Sequence, residues 1–131
     1  MPQDRHRPGE SGPDRRQALG RRGEDLAAAQ LVRDGYRVVD RNYRCPLGEI
    51  DLVARDGESV VFVEVKTRSS RAFGTSAEAV SRSKQARLLR LADCYLRERG
   101  LGNPPCRFDV VAVDAAWEPP LVEVIRDAFS A

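Results

Sequence analysis

The sequence predicts an α/β domain in which a central mixed β-sheet is flanked by α-helices. Short apolar runs typical of strands are interspersed with two longer helical patterns, in the order α-β-β-β-α-β-β. Two of the strand patterns are joined by Asp56-Gly57, and an Asp-Gly pair between apolar runs indicates a hairpin. At 131 residues the chain can bury a core of its own. We therefore expect a disordered tail over 1–17, rich in Pro, Gly, Asp and Arg, and one domain over 18–131.

The first half of the domain is predicted to contain one helix and three strands. Residues 18–34 have an interrupted apolar face at helical spacing, and Gly35 follows as a stop signal. Residues 36–43 are of strand type. The hairpin strands are expected over 48–54 and 60–66. The second hairpin strand is apolar on both faces, so we expect it at the centre of the sheet.

The second half is predicted to begin with a loop and a long helix. The polar residues 67–76 are expected to form the loop. Residues 81–99 show the longest helical pattern, with apolar residues gathered on one face. Strands are expected over 107–114 and 121–125, and Asp109 in the first of them is expected to pair with an arginine.

Composition excludes several classes of active site. The single histidine, His6, lies in the tail, so the domain has no histidine for a Ser-His-Asp or Cys-His hydrolase or for a His-ligated zinc site. The three cysteines lack metal-finger spacing, and no Gly-rich phosphate loop is present. The net charge of +2 is too small to argue nucleic-acid binding by itself. Any chemistry is therefore expected to use carboxylates, lysine and oxygen-binding metals.

The sequence contains no recognisable targeting segment. Its first residues are polar, and no apolar run approaches the roughly 18 residues that a membrane-spanning helix needs. We therefore expect a cytoplasmic protein without membrane association.

Charged side chains collect at the open end of the predicted hairpin. With Asp56-Gly57 at the turn centre, Asp51 lies opposite Phe62. The same register places Glu49 opposite Glu64. Like charges directly opposed on a sheet are destabilising, and a divalent cation would resolve the conflict. Strict alternation puts three carboxylates and one amine on a single face: Glu49, Asp51, Glu64 and Lys66.

This cluster suits the hydrolysis of phosphodiesters with Mg²⁺ or Mn²⁺. At diagonal positions on adjacent strands, Asp51 and Glu64 would have Cα atoms roughly 7 to 8 Å apart, near enough to share one cation. The carbonyl of Val65 could be a third oxygen ligand. Glu49 is either a further ligand or a partner of a basic side chain. Lys66 could orient or deprotonate the attacking water, or stabilise charge developing on the phosphate.

The spacing of the cluster and its neighbouring segments resemble a known family. Asp51, followed after twelve residues by Glu64-Val65-Lys66, resembles the PD-(D/E)XK nuclease superfamily. A larger ordered set of segments resembles the uncharacterised YraN-like bacterial family, which is similar to archaeal Holliday-junction resolvases. The likeness spans about Leu19 to Phe129. The segments that carry it are Gly23-Glu24, Gly48 to Val53, Val61 to Arg68 and Arg107 to Val111.

The resemblance implies a restriction-endonuclease-like core and a set of site residues. Asp51 and Glu64 would be metal ligands and Lys66 the catalytic lysine. Glu24 matches the acidic residue that related resolvases add to the site, although it could equally be a solvent-facing helix residue. Ile50 stands where the superfamily pattern has proline. By analogy with resolvases, DNA is the expected partner and a homodimer is expected, since two cuts on a junction require two sites.

Polar side chains around the cluster are candidates for nucleic-acid contact. Arg68 and Arg71 begin the loop after the hairpin, where a backbone phosphate would approach. Gln85 lies on the sheet-facing side of the second helix, flanked by Lys84 and Arg87. The alternatives are ordinary surface charge and, for Gln85, a core amide with its hydrogen bonds satisfied.

The leading hypothesis is a small Mg²⁺-dependent DNA endonuclease that acts on branched or damaged DNA. Two alternatives stay open. The protein could bind nucleic acid as a non-catalytic module or adaptor that keeps the fold. It could also cut RNA, because the motif addresses the phosphate and not the sugar.

Overall fold

The computed structural model describes residues 11–68 and 81–129, with side chains from residue 17 onwards. The predicted element order is confirmed. Neither described helix combines the length and the apolar content needed to cross a lipid bilayer. The elements are α1 (Ser11–Arg33), β1 (Arg37–Cys45), β2 (Gly48–Asp56), β3 (Ser59–Arg68), α2 (Arg82–Glu98), β4 (Cys106–Asp114) and β5 (Leu121–Phe129).

The sheet has five strands in the order β1-β2-β3-β4-β5. Strand β3 pairs parallel with β4, while the other neighbours pair antiparallel. As predicted, β3 is central, and Val60 to Val63 are at most 2% exposed. The mixed sheet with two flanking helices confirms the predicted fold class and is consistent with a restriction-endonuclease-like core.

Each face of the sheet carries its own apolar core beneath one helix. On one face, Ala27 and Leu31 of α1 pack onto strand residues that include Leu52 and Val63. On the other face, α2 packs onto a second set of strand residues, of which Phe62 is the central aromatic member. A fully buried Leu or Phe contributes roughly 1.5 to 3 kcal/mol. The α2 residues in this second core are Leu88, Leu91, Ala92 and Tyr95.

Several elements are longer than predicted. Helix α1 begins at Ser11 rather than at residue 18. Gly20 and Gly23 lie inside it, since a glycine costs a helix only about 1 kcal/mol and does not end it. Strand β3 continues through Thr67 and Arg68, which pair with Val113 and Asp114 of β4. These polar residues suggested a loop, but the parallel neighbour satisfies their backbone. Residues 11–17, which were assigned to the expected tail over 1–17, are therefore helical, and residues 1–10 lie outside the described residues.

The centre of the hairpin turn differs from the prediction. Asp56 pairs with Ser59 as the last rung of the ladder, and Gly57 follows as the first turn residue with φ 61°. A glycine at this position suits a type II′ turn. Distant partners keep Asp56 in the strand, because its carboxylate accepts hydrogen bonds from Arg107 and Arg126 at 2.9 Å each.

The predicted register of the hairpin is consequently wrong by two residues. Phe62 lies opposite Val53, not opposite Asp51, and the expected pairing of Glu49 with Glu64 is not formed in the ladder. Because the shift is even, the paired residues keep the faces that alternation assigned to them. The faces of Glu64 and Lys66 on β3 are therefore unaffected by the error in register.

Candidate functional site

Asp51 lies where strands β2 and β3 separate. The pairing of the two strands ends at Leu52 and Val63. Beyond this pair, Asp51 Oδ2 accepts a hydrogen bond from the backbone N–H of Val65 at 2.8 Å. Alternation along β2 also breaks here, because Ile50 and Leu52 belong to the cores on opposite faces although they are two residues apart. The prediction that strict alternation places Glu49 and Asp51 on one face with Glu64 and Lys66 is therefore wrong for β2. The carboxylate is therefore fixed in the gap between the strands, beside the residue that follows Glu64.

Glu64 is buried and contacts two lysines. It is 8% exposed, and Lys84 Nζ donates a short hydrogen bond to its Oε2. Lys66 Nζ lies 3.9 Å from the same oxygen. Lys84 is positioned by the first turn of α2, where Ser81 caps the helix and accepts a hydrogen bond from the Lys84 backbone N–H at 3.2 Å. Glu64 and Lys66 are therefore neighbours, and Lys84 joins them.

A cleft of about 500 Å³ opens beside these residues, between α1, β2 and β3. Glu24 reaches it from α1, and its carboxylate is hydrogen-bonded by the side chain of Asn42. Five residues singled out from the sequence line this one cleft: Glu24, Asp51, Val65, Lys66 and Arg68. The structure therefore brings together side chains that are up to 44 positions apart, from Glu24 to Arg68.

The carboxylates of the site repel one another. Burial and the neighbouring Glu64 raise the pKa of Asp51 to about 7, and Glu24 and Glu49 act in the same direction. The hydrogen bond from Val65 opposes this rise without cancelling it. Burial also raises the pKa of Glu24. The site therefore holds more negative charge than its own hydrogen bonds stabilise.

The two lysines are tuned in opposite directions. Burial and the nearby Lys84 ammonium lower the pKa of Lys66. Burial would also lower the pKa of Lys84, but its contact with Glu64 outweighs burial and raises that pKa. Lys66 is consequently the amine that gives up its proton more readily, while Lys84 stays charged.

The remaining predicted residues lie around the site or outside the described chain. Glu49 accepts a long hydrogen bond from Arg44 at 3.5 Å, in keeping with the alternative that it partners a basic side chain. Gln85 is half-buried and has an interaction partner. Arg87 is exposed, and its side chain lies beside Gly48 at the start of β2. Arg71 falls in the segment 69–80, which lies outside the described residues.

The contact between Lys84 and Glu64 was missed at the level of sequence. Lys84 was predicted only to contact nucleic acid, because nothing local relates a helix residue to a strand residue twenty positions earlier. One signal was available. The chain contains 22 basic residues, and the only two lysines among them, Lys66 and Lys84, both meet at Glu64.

Helix α1 approaches the site closely because of Gly23. A Cβ atom at Gly23 would overlap Thr67 Oγ1 and lie 3.0 Å from Thr67 Cβ. A Cβ atom at Gly20, one turn earlier, would meet nothing within 4 Å. Gly23 therefore allows α1 to lie against β3. This close packing brings Glu24, the next residue of α1, to the cleft.

Alanine at these two glycines is expected to change stability in opposite directions. Gly20→Ala should stabilise the protein by about 0.5 to 1 kcal/mol, because alanine is the better helix former. Gly23→Ala should destabilise it by about 1 to 3 kcal/mol, because the overlap with Thr67 outweighs that gain. Urea denaturation of both variants measures the difference. Equal stabilities for the two variants would contradict the close contact.

Comparison with known proteins places the chain in a family. The family model described as uncharacterised protein family UPF0102 matches residues 23–113. The chain belongs to this family. It is 56% identical over 116 residues to a UPF0102 protein of Moorella thermoacetica, covering 87% of this chain and 97% of that relative. A UPF0102 protein of Symbiobacterium thermophilum is 51% identical over 114 residues, with 86% and 97% covered. One of Geobacter sulfurreducens is 45% identical over 119 residues, with 90% and 93% covered.

The UPF0102 match contains the whole cluster of titratable side chains. It begins at Gly23, the glycine that contacts β3, and ends in strand β4 at Val113. The YraN-like resemblance inferred from sequence segments is thereby confirmed at the level of the family. The members of this cluster, all inside the match, are Glu24, Glu49, Asp51, Glu64, Lys66 and Lys84.

Proposed function

We propose that this protein is a metal-dependent endonuclease that hydrolyses phosphodiester bonds in DNA, with branched or damaged DNA as its substrate class. One observation carries the proposal. The Asp51 and Glu64 carboxylates lie with Lys66 at the open end of one hairpin, and a cleft of about 500 Å³ opens beside them.

The chemistry of the donor atoms fits Mg²⁺ or Mn²⁺. Asp51 and Glu64 would hold the cation, with the Val65 carbonyl as a third oxygen, and these are the hard ligands that such cations prefer. The proposed ligands are thus two carboxylates and one backbone carbonyl. Among the described residues, no group of three or more acidic, histidine or cysteine side chains is placed to hold a metal ion. Burial and the neighbouring Glu64 raise the pKa of Asp51, and a cation bound here would favour its ionised form. When bound, the cation would supply Lewis-acid polarisation of the phosphoryl oxygens.

The two lysines are suited to different tasks. Lys66 Nζ, whose pKa is lowered, can take a proton from the attacking water. Lys84, whose pKa is raised, stays protonated and can stabilise charge that develops on the phosphate. Each contribution is worth roughly 10² to 10⁴-fold in rate in characterised enzymes.

Arginines near the site would bind the rest of the substrate. Arg68 lines the cleft two residues after Lys66, and Arg87 is exposed on α2 beside Gly48 at the start of β2. Arginine donates two parallel hydrogen bonds to a phosphate and carries no base preference through that contact. These arginines would therefore contribute affinity for DNA, and the branch would be recognised by the shape of the DNA.

Cleavage assays test the proposal. Purified protein is incubated with linear, flapped and four-way DNA and with structured RNA, in Mg²⁺ or Mn²⁺ and in EDTA. We expect metal-dependent cutting of a branched DNA, reduced by about 10² or more in Glu64→Gln and in Lys66→Ala. The matched control is Glu58→Gln, which makes the same chemical change at an exposed position on the hairpin turn and should leave cutting intact.

Each other result is informative. Cutting that persists in both site variants comes from a contaminant and refutes the assignment of the site. Binding of branched DNA without cutting supports the adaptor alternative instead. Cutting confined to RNA keeps the chemistry and changes the substrate.

A further inference from the structure

A second cavity lies at the other end of the sheet, under the C-terminal end of α2. Its volume is about 290 Å³, near the lower end of the roughly 300 to 1,000 Å³ typical of small-molecule sites. Val39, Val60 and Leu101 supply apolar walls. The polar lining comes from three arginines, one aspartate and one tyrosine: Arg37, Arg55, Arg99, Asp40 and Tyr95.

Two of the arginines are neighbours on adjacent strands. Arg37 of β1 and Arg55 of β2 are direct register partners, so their like charges lie side by side on one face. Among the described residues, no carboxylate forms an ion pair with either of them. Arg55 Nε is moreover buried without a hydrogen-bond partner there, which is costly for a charged donor. An anion in the cavity would remove both penalties.

The third arginine is already neutralised. Asp40 Oδ2 lies 3.1 Å from Arg99 Nη1 and accepts a hydrogen bond from Tyr95 Oη at 2.5 Å. A bulge in β1 at Val39 brings Asp40 onto the same sheet face as Arg37, although the two residues are three positions apart. With three guanidinium groups and one carboxylate in its wall, the cavity therefore retains two positive charges.

Hydrogen bonding at the C-terminal end of helix α2 weakens its repulsion of an anion here. Three of the last four carbonyls are occupied, since Tyr95 O, Leu96 O and Arg97 O accept backbone hydrogen bonds from residues 99–101. Gly100, with φ 63°, makes this compact end possible. The helix terminus therefore presents few free acceptors to the cavity.

We propose that this cavity binds a phosphate monoester, whose two negative charges match the unneutralised Arg37 and Arg55. The site is separate from the cleft, because Arg55 is four residues along β2 from Asp51 and Arg99 lies at the opposite end of α2 from Lys84. The monoester can be carried by a free nucleotide or by the 5′ end of a nucleic acid strand. The inference does not depend on cleavage at the first site.

Nuclear magnetic resonance of the full chain tests the site directly. Inorganic phosphate is titrated while the Nε–Hε signal of Arg55 and the backbone amides of β1 are followed. We expect saturable shifts there, and binding weakened about tenfold or more in Arg55→Gln and in Arg37→Gln. Arg37 is exposed at the first position of β1, so its variant tests the site even if Arg55→Gln does not fold.

A charge-matched control and three further ligands complete the experiment. Arg33→Gln removes one exposed positive charge from α1 and should bind phosphate like the wild type. AMP and a 5′-phosphorylated trinucleotide are compared with the same trinucleotide carrying a 5′-hydroxyl. Tighter binding of AMP identifies a nucleotide as the source, and tighter binding of the phosphorylated trinucleotide identifies a strand end. Absence of saturable shifts at Arg55, equal weakening in Arg33→Gln, or equal binding of the 5′-hydroxyl strand would overturn the proposal.

Discussion

Replacing Asp51 with asparagine is expected to stabilise the metal-free protein at pH 8 by about 2 to 4 kcal/mol, while abolishing cleavage. Asparagine keeps an oxygen that can accept the hydrogen bond from Val65 but removes the charge that Glu64 and burial oppose. A substitution that stabilises the fold and removes activity is typical of a residue selected for function.

The pH dependence of this effect follows from the direction of the pKa shift. In the folded protein the pKa of Asp51 is about 7, against an ordinary value of 3.8. The folded state therefore holds the proton more tightly, and ionisation of Asp51 costs stability as the pH rises from about 4 to about 7. The stability difference between variant and wild type should be near zero at pH 4, grow through this range and be constant above it.

Urea denaturation in EDTA at a series of pH values measures the difference. Asp25→Asn is the matched control, because Asp25 is 68% exposed and should give a difference below about 1 kcal/mol at every pH. A variant no more stable than the wild type at pH 8 would mean that the lysines already neutralise Asp51.

Adding Mg²⁺ in place of EDTA is a separate test of the same residue. Mg²⁺ should stabilise the wild type and leave Asp51→Asn unchanged, since a ligand stabilises only the state that binds it.

The same substitution at Asp109 is expected to have the opposite sign, destabilising the protein by about 3 to 5 kcal/mol. Asp109 is 1% exposed, but its carboxylate is fully partnered. It accepts hydrogen bonds from Tyr36 Oη at 2.7 Å, from Arg107 Nε and Nη2 at 3.0 Å each, and from Asp127 N–H at 2.9 Å. Removing its charge leaves Arg107, which is only 17% exposed, with Asp56 as its one remaining ion-pair partner among the described residues.

Thermal and urea unfolding of Asp109→Asn measure this loss, again beside Asp25→Asn. The comparison separates two buried carboxylates that look alike in the sequence. If both Asp51→Asn and Asp109→Asn destabilised the protein, Asp51 would be a structural residue and its place in a catalytic site would lose its physical support.

The sequence predicted those features that depend on local patterns. The order of elements, the central position of β3 and the proximity of Glu64 to Lys66 follow from apolar periodicity and alternation, and all are present in the structure. The pairing of Asp109 with an arginine is also confirmed. The metal, the substrate and the catalytic roles of these residues stay predictions.

Features that depend on distant contacts could not be predicted from local patterns. Asp56 was expected at the turn centre, but ion pairs with Arg107 and Arg126, at least 51 residues away, hold it in the strand. The contact of Lys84 with Glu64 likewise requires α2 to pack on the sheet. Local sequence patterns carry no information on such pairs, because the partners meet only after the chain has folded.

The bulges at both edges of the sheet bear on how the protein can self-associate. An exposed edge strand can recruit a strand from another molecule, and proteins prevent this with bulges and charged side chains. Strand β1 has its bulge at Val39 and exposes Arg41 and Arg44, while β5 is irregular around Asp127 and exposes Glu123. Both borders are therefore poor templates for strand addition. Any second copy of the chain is expected to dock through a helix or a loop. A continuous β-sheet across the two molecules is not expected.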